Sequence, residues 1–76
     1  MAPAAFATAA SITNTDTDPA MLAVTEGSVR LDIVIDPGNT QDLCPSGCFI
    51  TFPDGDRMAL GGSETIEIVK GSAVLK

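Results

Sequence analysis

The chain has 76 residues, a formal net charge of −6, 45% hydrophobic residues, and no Trp, Tyr or His. That length suits one small domain of marginal stability, and so apolar a composition is not that of a disordered chain. The acidic surface argues against nucleic acid and anionic lipid as partners, because Arg30, Arg57, Lys70 and Lys76 are scattered rather than clustered; no run of about 20 apolar residues offers a membrane span.

Residues 1–10 read as an Ala-rich, flexible tail. Their small residues, around Ala5-Phe6-Ala7 and Ala7-Thr8-Ala9, resemble the cleavage region of a secretory signal, although no basic start or long apolar run precedes them. The segment is therefore either the remnant of a trimmed export signal or a plain tail. The folded domain is expected over residues 11–76.

Strand-like runs follow in order, separated by turn chemistry at intervals of about 8–10 residues, the spacing of a sandwich or barrel. Ser11–Asn14 leads into the turn Asn14–Pro19. Leu22 and Val24 alternate with Ala23 and Thr25 before Glu26-Gly27-Ser28. Val29, Leu31, Ile33 and Ile35 alternate with Arg30, Asp32, Val34 and Asp36, the cleanest period of two in the chain. After Pro37-Gly38-Asn39 come Gln41–Cys44, then Cys48–Phe52, whose apolar residues fall on both faces and suggest a central position. Pro53–Asp56 precedes Arg57–Leu60. Gly61-Gly62-Ser63 precedes Thr65–Ile68, and Gly71-Ser72 precedes Ala73–Leu75. No window of eleven or more residues carries a capped helical stripe.

The pattern predicts an all-β domain, a small antiparallel β-sandwich of about seven to eight short strands, with a compact β-barrel as the alternative. Successive strands joined by tight turns are expected to pair as hairpins. The expected core is Ile12, Leu22, Val24, Val29, Leu31, Ile33, Ile35, Leu43, Ile50, Phe52, Met58, Leu60, Ile66, Ile68 and Val74.

Two features could carry chemistry. Cys44-Pro45-Ser46-Gly47-Cys48 places two cysteines across a short turn, which brings their Cα atoms toward the roughly 5.5 Å of a disulfide. A structural Cys44–Cys48 bridge, closing a hairpin between the flanking strands, is expected; an even cysteine count in so small a chain fits an oxidising compartment. The alternative is two free, buried thiols. Redox catalysis is not expected, since the spacing is not C-x-x-C and nothing nearby stabilises a thiolate. Two sulfurs without histidine also leave a zinc site half built.

The acidic loops are the other feature. Asn14, Asp16 and Asp18 alternate oxygen ligands as a calcium loop does, and Asp54 and Asp56 could join them if the loops meet at one end of the domain. Pro19 stands where an EF-hand requires Gly, and Thr25 where it requires the bidentate Glu, so that motif is excluded. Turn chemistry accounts for both segments without a metal. Without histidine no Ser-His-Asp or Cys-His pair can form, and no phosphate-binding Gly motif is present. No enzymatic activity and no cofactor are expected.

The order of loops, strands and the Cys loop is superficially similar to a cupredoxin, but that family's copper site uses two histidines and this chain has none. From Ile12 to Leu75, the segments SITNTD (Ser11–Asp16), VTEGS (Val24–Ser28), CPSGCFITFPDGD (Cys44–Asp56) and GSETIEI (Gly62–Ile68) resemble short, often exported bacterial all-β domains of uncharacterised function. That resemblance implies no activity and no binding residues, and favours export. The functional expectation is a non-catalytic structural or interaction module, periplasmic or secreted, with cytoplasmic as the alternative location, and open to a protein partner or self-association. The alternative is a calcium-binding module built on the acidic loops.

Overall fold

Strands form wherever apolar and polar residues alternate between turn-forming clusters. The computed structural model describes residues 9–76. Its eight strands are β1 (Ala10–Asn14), β2 (Ala20–Glu26), β3 (Val29–Ile35), β4 (Thr40–Leu43), β5 (Cys48–Thr51), β6 (Arg57–Leu60), β7 (Thr65–Val69) and β8 (Ser72–Leu75). They form two four-stranded sheets, β4-β1-β7-β8 and β3-β2-β5-β6. Neither closes into a barrel, so the architecture is the small β-sandwich. Residues 1–8 of the expected tail lie outside the described residues, and β1 begins at Ala10.

Three successive pairs are hairpins: β2/β3, β5/β6 and β7/β8. The hairpin expected across Cys44–Cys48 is not one of them. β4 belongs to the first sheet and β5 to the second, so the cysteine loop turns a corner between sheets. The Pro37-Gly38 turn between β3 and β4 makes a similar crossing. The reason is burial: an alternating strand has one apolar face, and crossing lets each sheet bury that face against the other. The pairing of β1 with β7 is parallel, Ser11 to Asn14 against Thr65 to Ile68, which only chain-distant strands can make.

Ile12, Ile66 and Ile68 from the first sheet meet Leu22, Val24, Ile35, Ile50 and Leu60 from the second, with Phe52 just beyond β5; all are buried. Ile33, Leu43 and Met58 pack at the margin of this core. Three expected core residues are not in it: Val29, Leu31 and Val74 are 54%, 46% and 38% exposed. Val29 and Leu31 share the core-facing side, since Leu31 lies opposite buried Val24, but β3 is an edge strand and its start is left uncovered. Val74 is out of phase: it pairs with Glu67 on the outer side, and Ala73, opposite buried Ile68, faces inward instead. Ala10, Ala20, Cys44 and Cys48 complete the core.

Candidate functional site

The two acidic loops do converge, and they converge on backbone. Asn14 ends β1 fully buried. Its amide donates to the carbonyls of Asp18 and Ile35, both at 2.8 Å, and its Oδ1 accepts the Asp16 N–H at 2.9 Å. That is an Asx turn with every side-chain polar atom engaged. The Asp16 carboxylate accepts the N–H groups of Lys70 and Gly71, the latter at 2.8 Å, and so grips the β7–β8 turn. Thr15 adds a hydroxyl bond to the Ile68 carbonyl at 2.6 Å. From the other side, Asp54 accepts the Ser72 hydroxyl and the Asp56 N–H.

The electrostatics follow from these contacts. The Ser72 hydroxyl and the Asp56 N–H hold the Asp54 carboxyl below its ordinary value, and the Asp54 charge beside it raises Asp56. A shallow hollow of about 410 Å³ lies between these loops, bordered by Asp16, Asp18, Pro53 and Lys70 among others. Asp18 is exposed on its rim. Among the described residues, no three His, Cys, Asp or Glu side chains are grouped so as to hold a metal ion. Chemically, this end of the domain ties three loops together.

The opposite corner holds the disulfide. Cys44 and Cys48 are bonded, with Cα atoms 5.4 Å apart. The Gly47 N–H donates to the Cys44 carbonyl at 3.1 Å, closing a β-turn inside the bridge. The loop Gly61–Glu64 packs directly against this corner. Gly62 is buried with φ 113°, and a Cβ there would lie 2.9 Å from the Pro45 carbonyl oxygen and 3.0 Å from that of Cys44. Only glycine suits both the backbone angle and the space. Glu64 secures the loop: its carboxylate accepts the N–H groups of Gly61, Gly62 and Ser63 at 2.7, 3.0 and 3.0 Å. The Gly61 and Gly62 bonds lower its carboxyl to about 2. Sequence reading passed over Glu64; the signal was an acceptor directly after a Gly-Gly-Ser turn that exposes consecutive N–H groups.

The outer faces of the two sheets differ. On the first sheet, Ser11, Thr13, Thr40, Asp42, Thr65 and Glu67 occupy the outward positions of β1, β4 and β7, and Thr13 and Thr40 share a hydroxyl bond at 2.7 Å. On the second sheet, the outward rows are Met21–Val34, then Asp32–Ala23–Thr51–Arg57, then Arg30–Thr25–Phe49–Ala59. Met21, Val34 and Phe49 are 65%, 51% and 64% exposed. Phe49 sits on β5, with β2 on one side and β6 on the other, and shares a small surface hollow with Thr25, Thr51 and Arg57. None of these residues was singled out from the sequence as a site, because alternation marks a wet face without saying which wet face is apolar.

No helix among the described residues is long and apolar enough to cross a membrane. Comparison with protein-family models, curated proteins and solved structures finds no match to this chain.

Proposed function

We propose that the chain is a non-catalytic interaction module that works in an oxidising, extracytoplasmic compartment, and that the outer face of the second sheet is its recognition surface. The observation that carries this reading is Phe49, a large aromatic ring standing exposed on an interior strand, with Met21 and Val34 on the same face. An exposed aromatic ring flanked by polar residues and an Arg is a typical contact anchor, and Met21 and Val34 add apolar area on the same face beyond the intervening Asp32–Ala23–Thr51–Arg57 row. Two of the four basic residues, Arg30 and Arg57, lie in the outward rows of this otherwise acidic protein. The partner is accordingly a protein or peptide segment with an apolar centre and acidic neighbours. The disulfide is consistent with an oxidising environment, and the resemblance to exported bacterial domains points the same way. The absence of histidine and the engagement of Asp16, Asp54 and Glu64 in loop-holding bonds support a non-catalytic role.

Selection of peptides from a random library on the intact protein, with Phe49→Ser as the control, tests the reading. Enriched apolar-acidic peptides should bind the wild type and lose about tenfold or more in affinity to Phe49→Ser, while the two proteins melt within a few degrees of each other. No enrichment, or binding indifferent to Phe49, would overturn it.

A further inference from the structure

We infer that the free edge of β3 pairs with β3 of a second copy in one register, an antiparallel two-fold dimer centred on Leu31. This names a partner for the interaction-module reading and rests on it; it uses the β3 edge and shares Arg30 with the outer face, but not Phe49. β3 is seven residues long and has β2 on one side only; among the described residues nothing pairs with its other side. The two-residue loop Gly27-Ser28 makes Glu26 and Val29 the closing hydrogen-bonded pair of the β2–β3 ladder. Alternation along that ladder turns the N–H and C=O groups of Arg30, Asp32 and Val34 toward the free edge. β3 contains no proline and no bulge that would blunt it.

Charge then selects the register. With Leu31 opposite the second copy's Leu31, Arg30 lies opposite Asp32 and Asp32 opposite Arg30. Two ion pairs form on the outer face, exactly where the backbone of the same residues makes the inter-strand bonds. On the core side, Val29 meets Ile33 and Leu31 meets Leu31. The side chains that the first sheet leaves 54% and 46% exposed, Val29 and Leu31, are thereby covered. Shifting the axis to Asp32 sets Asp32 against Asp32, and shifting it to Arg30 sets Arg30 against Arg30. Parallel in-register stacking aligns like charges all along the strand. Like charges directly opposite are destabilising. An axis on Ile33 also avoids them, but it sets Asp32 opposite Val34 and leaves Val29 beyond the paired residues. The Leu31-centred arrangement is therefore the one that both pairs the charges and covers the exposed side chains, and it leaves no β3 edge for further growth. The dimer would join the two second sheets edge to edge, placing two Phe49 surfaces on one continuous face.

Sedimentation velocity on the full chain, from roughly 10 μM to roughly 1 mM, covers the range of weak interfaces. The wild type should dimerise reversibly. Arg30→Asp, which faces two carboxylates with each other twice per dimer, should raise the dimer Kd about tenfold or more. Asp32→Arg should do the same. The double exchange Arg30→Asp with Asp32→Arg re-forms both pairs with reversed sign and should restore dimerisation. Amide exchange on the wild type is an independent readout: protection at Arg30 and Asp32, whose N–H groups the register pairs across the interface, should rise with protein concentration. A monomer throughout the range, a dimer indifferent to the single exchanges, or concentration-independent protection of those two amides would overturn the inference. Phe49→Ser should leave dimerisation unchanged, so a monomeric protein that still binds peptides through Phe49 would refute the dimer and leave the recognition surface standing.

Discussion

Replacing Asn14 distinguishes a structural hub from a cation ligand. The side chain is fully buried and makes two donated bonds, to Asp18 and Ile35 carbonyls at 2.8 Å, and one accepted bond, from the Asp16 N–H at 2.9 Å. Asn14→Ala removes all three. The bonds to Asp18 and Asp16 lie near the surface, where water can replace them, and each is worth about 1 kcal/mol net. The Ile35 carbonyl is deeper, and stripping its partner adds about 1–3 kcal/mol for an unsatisfied buried acceptor. The expected loss is therefore about 3–5 kcal/mol, against a total of roughly 4–11 kcal/mol for a domain of this size. Asn14→Asp should be at least as damaging at neutral pH: it keeps the shape, loses both donors, and sets a carboxylate against two carbonyl oxygens. A cation ligand would behave in the opposite way, since Asp improves a calcium site. Urea unfolding followed by far-UV circular dichroism is the assay, because the chain has no Trp or Tyr for fluorescence. Wild-type stability in Asn14→Asp, or a loss under about 0.5 kcal/mol in Asn14→Ala, would refute the structural account.

Four further expectations can be checked by the same unfolding measurements. Gly62→Ala should lose about 1–3 kcal/mol, because its Cβ meets the carbonyl oxygens of Pro45 and Cys44 and its φ is 113°; a neutral result would mean the corner yields freely. Replacing Cys44 and Cys48 by Ser should lose about 2 kcal/mol in the chain-entropy picture, since so short a loop has little closure entropy to remove; an unfolded variant would show that the bridge supports the sheet-to-sheet corner as well. Glu64 has a carboxyl lowered from 4.5 to about 2, so its stabilising contribution is present above about 4.5 and disappears as pH falls to about 2. The wild type should thus lose its advantage over Glu64→Gln across that window, and a pH-independent difference would contradict the assignment. Millimolar calcium should leave the melting midpoint unchanged, because Asp16 and Asp54 are already engaged by Gly71 and Ser72; a rise would revive a cation site.

Which strands exist was legible in the chain, and for a local reason. Apolar-polar alternation and turn residues act within a few positions of one another, so Val29–Ile35 and Thr65–Ile68 announce themselves without knowledge of what lies above them. The disulfide was legible on the same terms, since Pro45 and Gly47 lie within the loop it closes. The acidic loops were legible as turns, and their oxygen-rich spacing was the same whether it served a cation or a backbone.

What tertiary structure alone decided is partnership. Whether Cys44–Cys48 joins paired strands or turns from one sheet to the other depends on which strands each side pairs with, and β4 chooses β1 while β5 chooses β2 and β6. Val29 and Leu31 have the alternation of core residues, yet burial needs a second layer above them, and at the edge strand that layer is missing. Asn14, Asp16 and Glu64 found their roles in backbone groups, and for Asp16 those groups, Lys70 and Gly71, are more than fifty positions away. Phe49 stands exposed while Phe52 is buried, because the Phe49 side of β5 has no sheet above it. A period of two states that one side of a strand is to be covered; what covers it is a property of the assembled sheets, because burial is a relation between elements and alternation is a property of one.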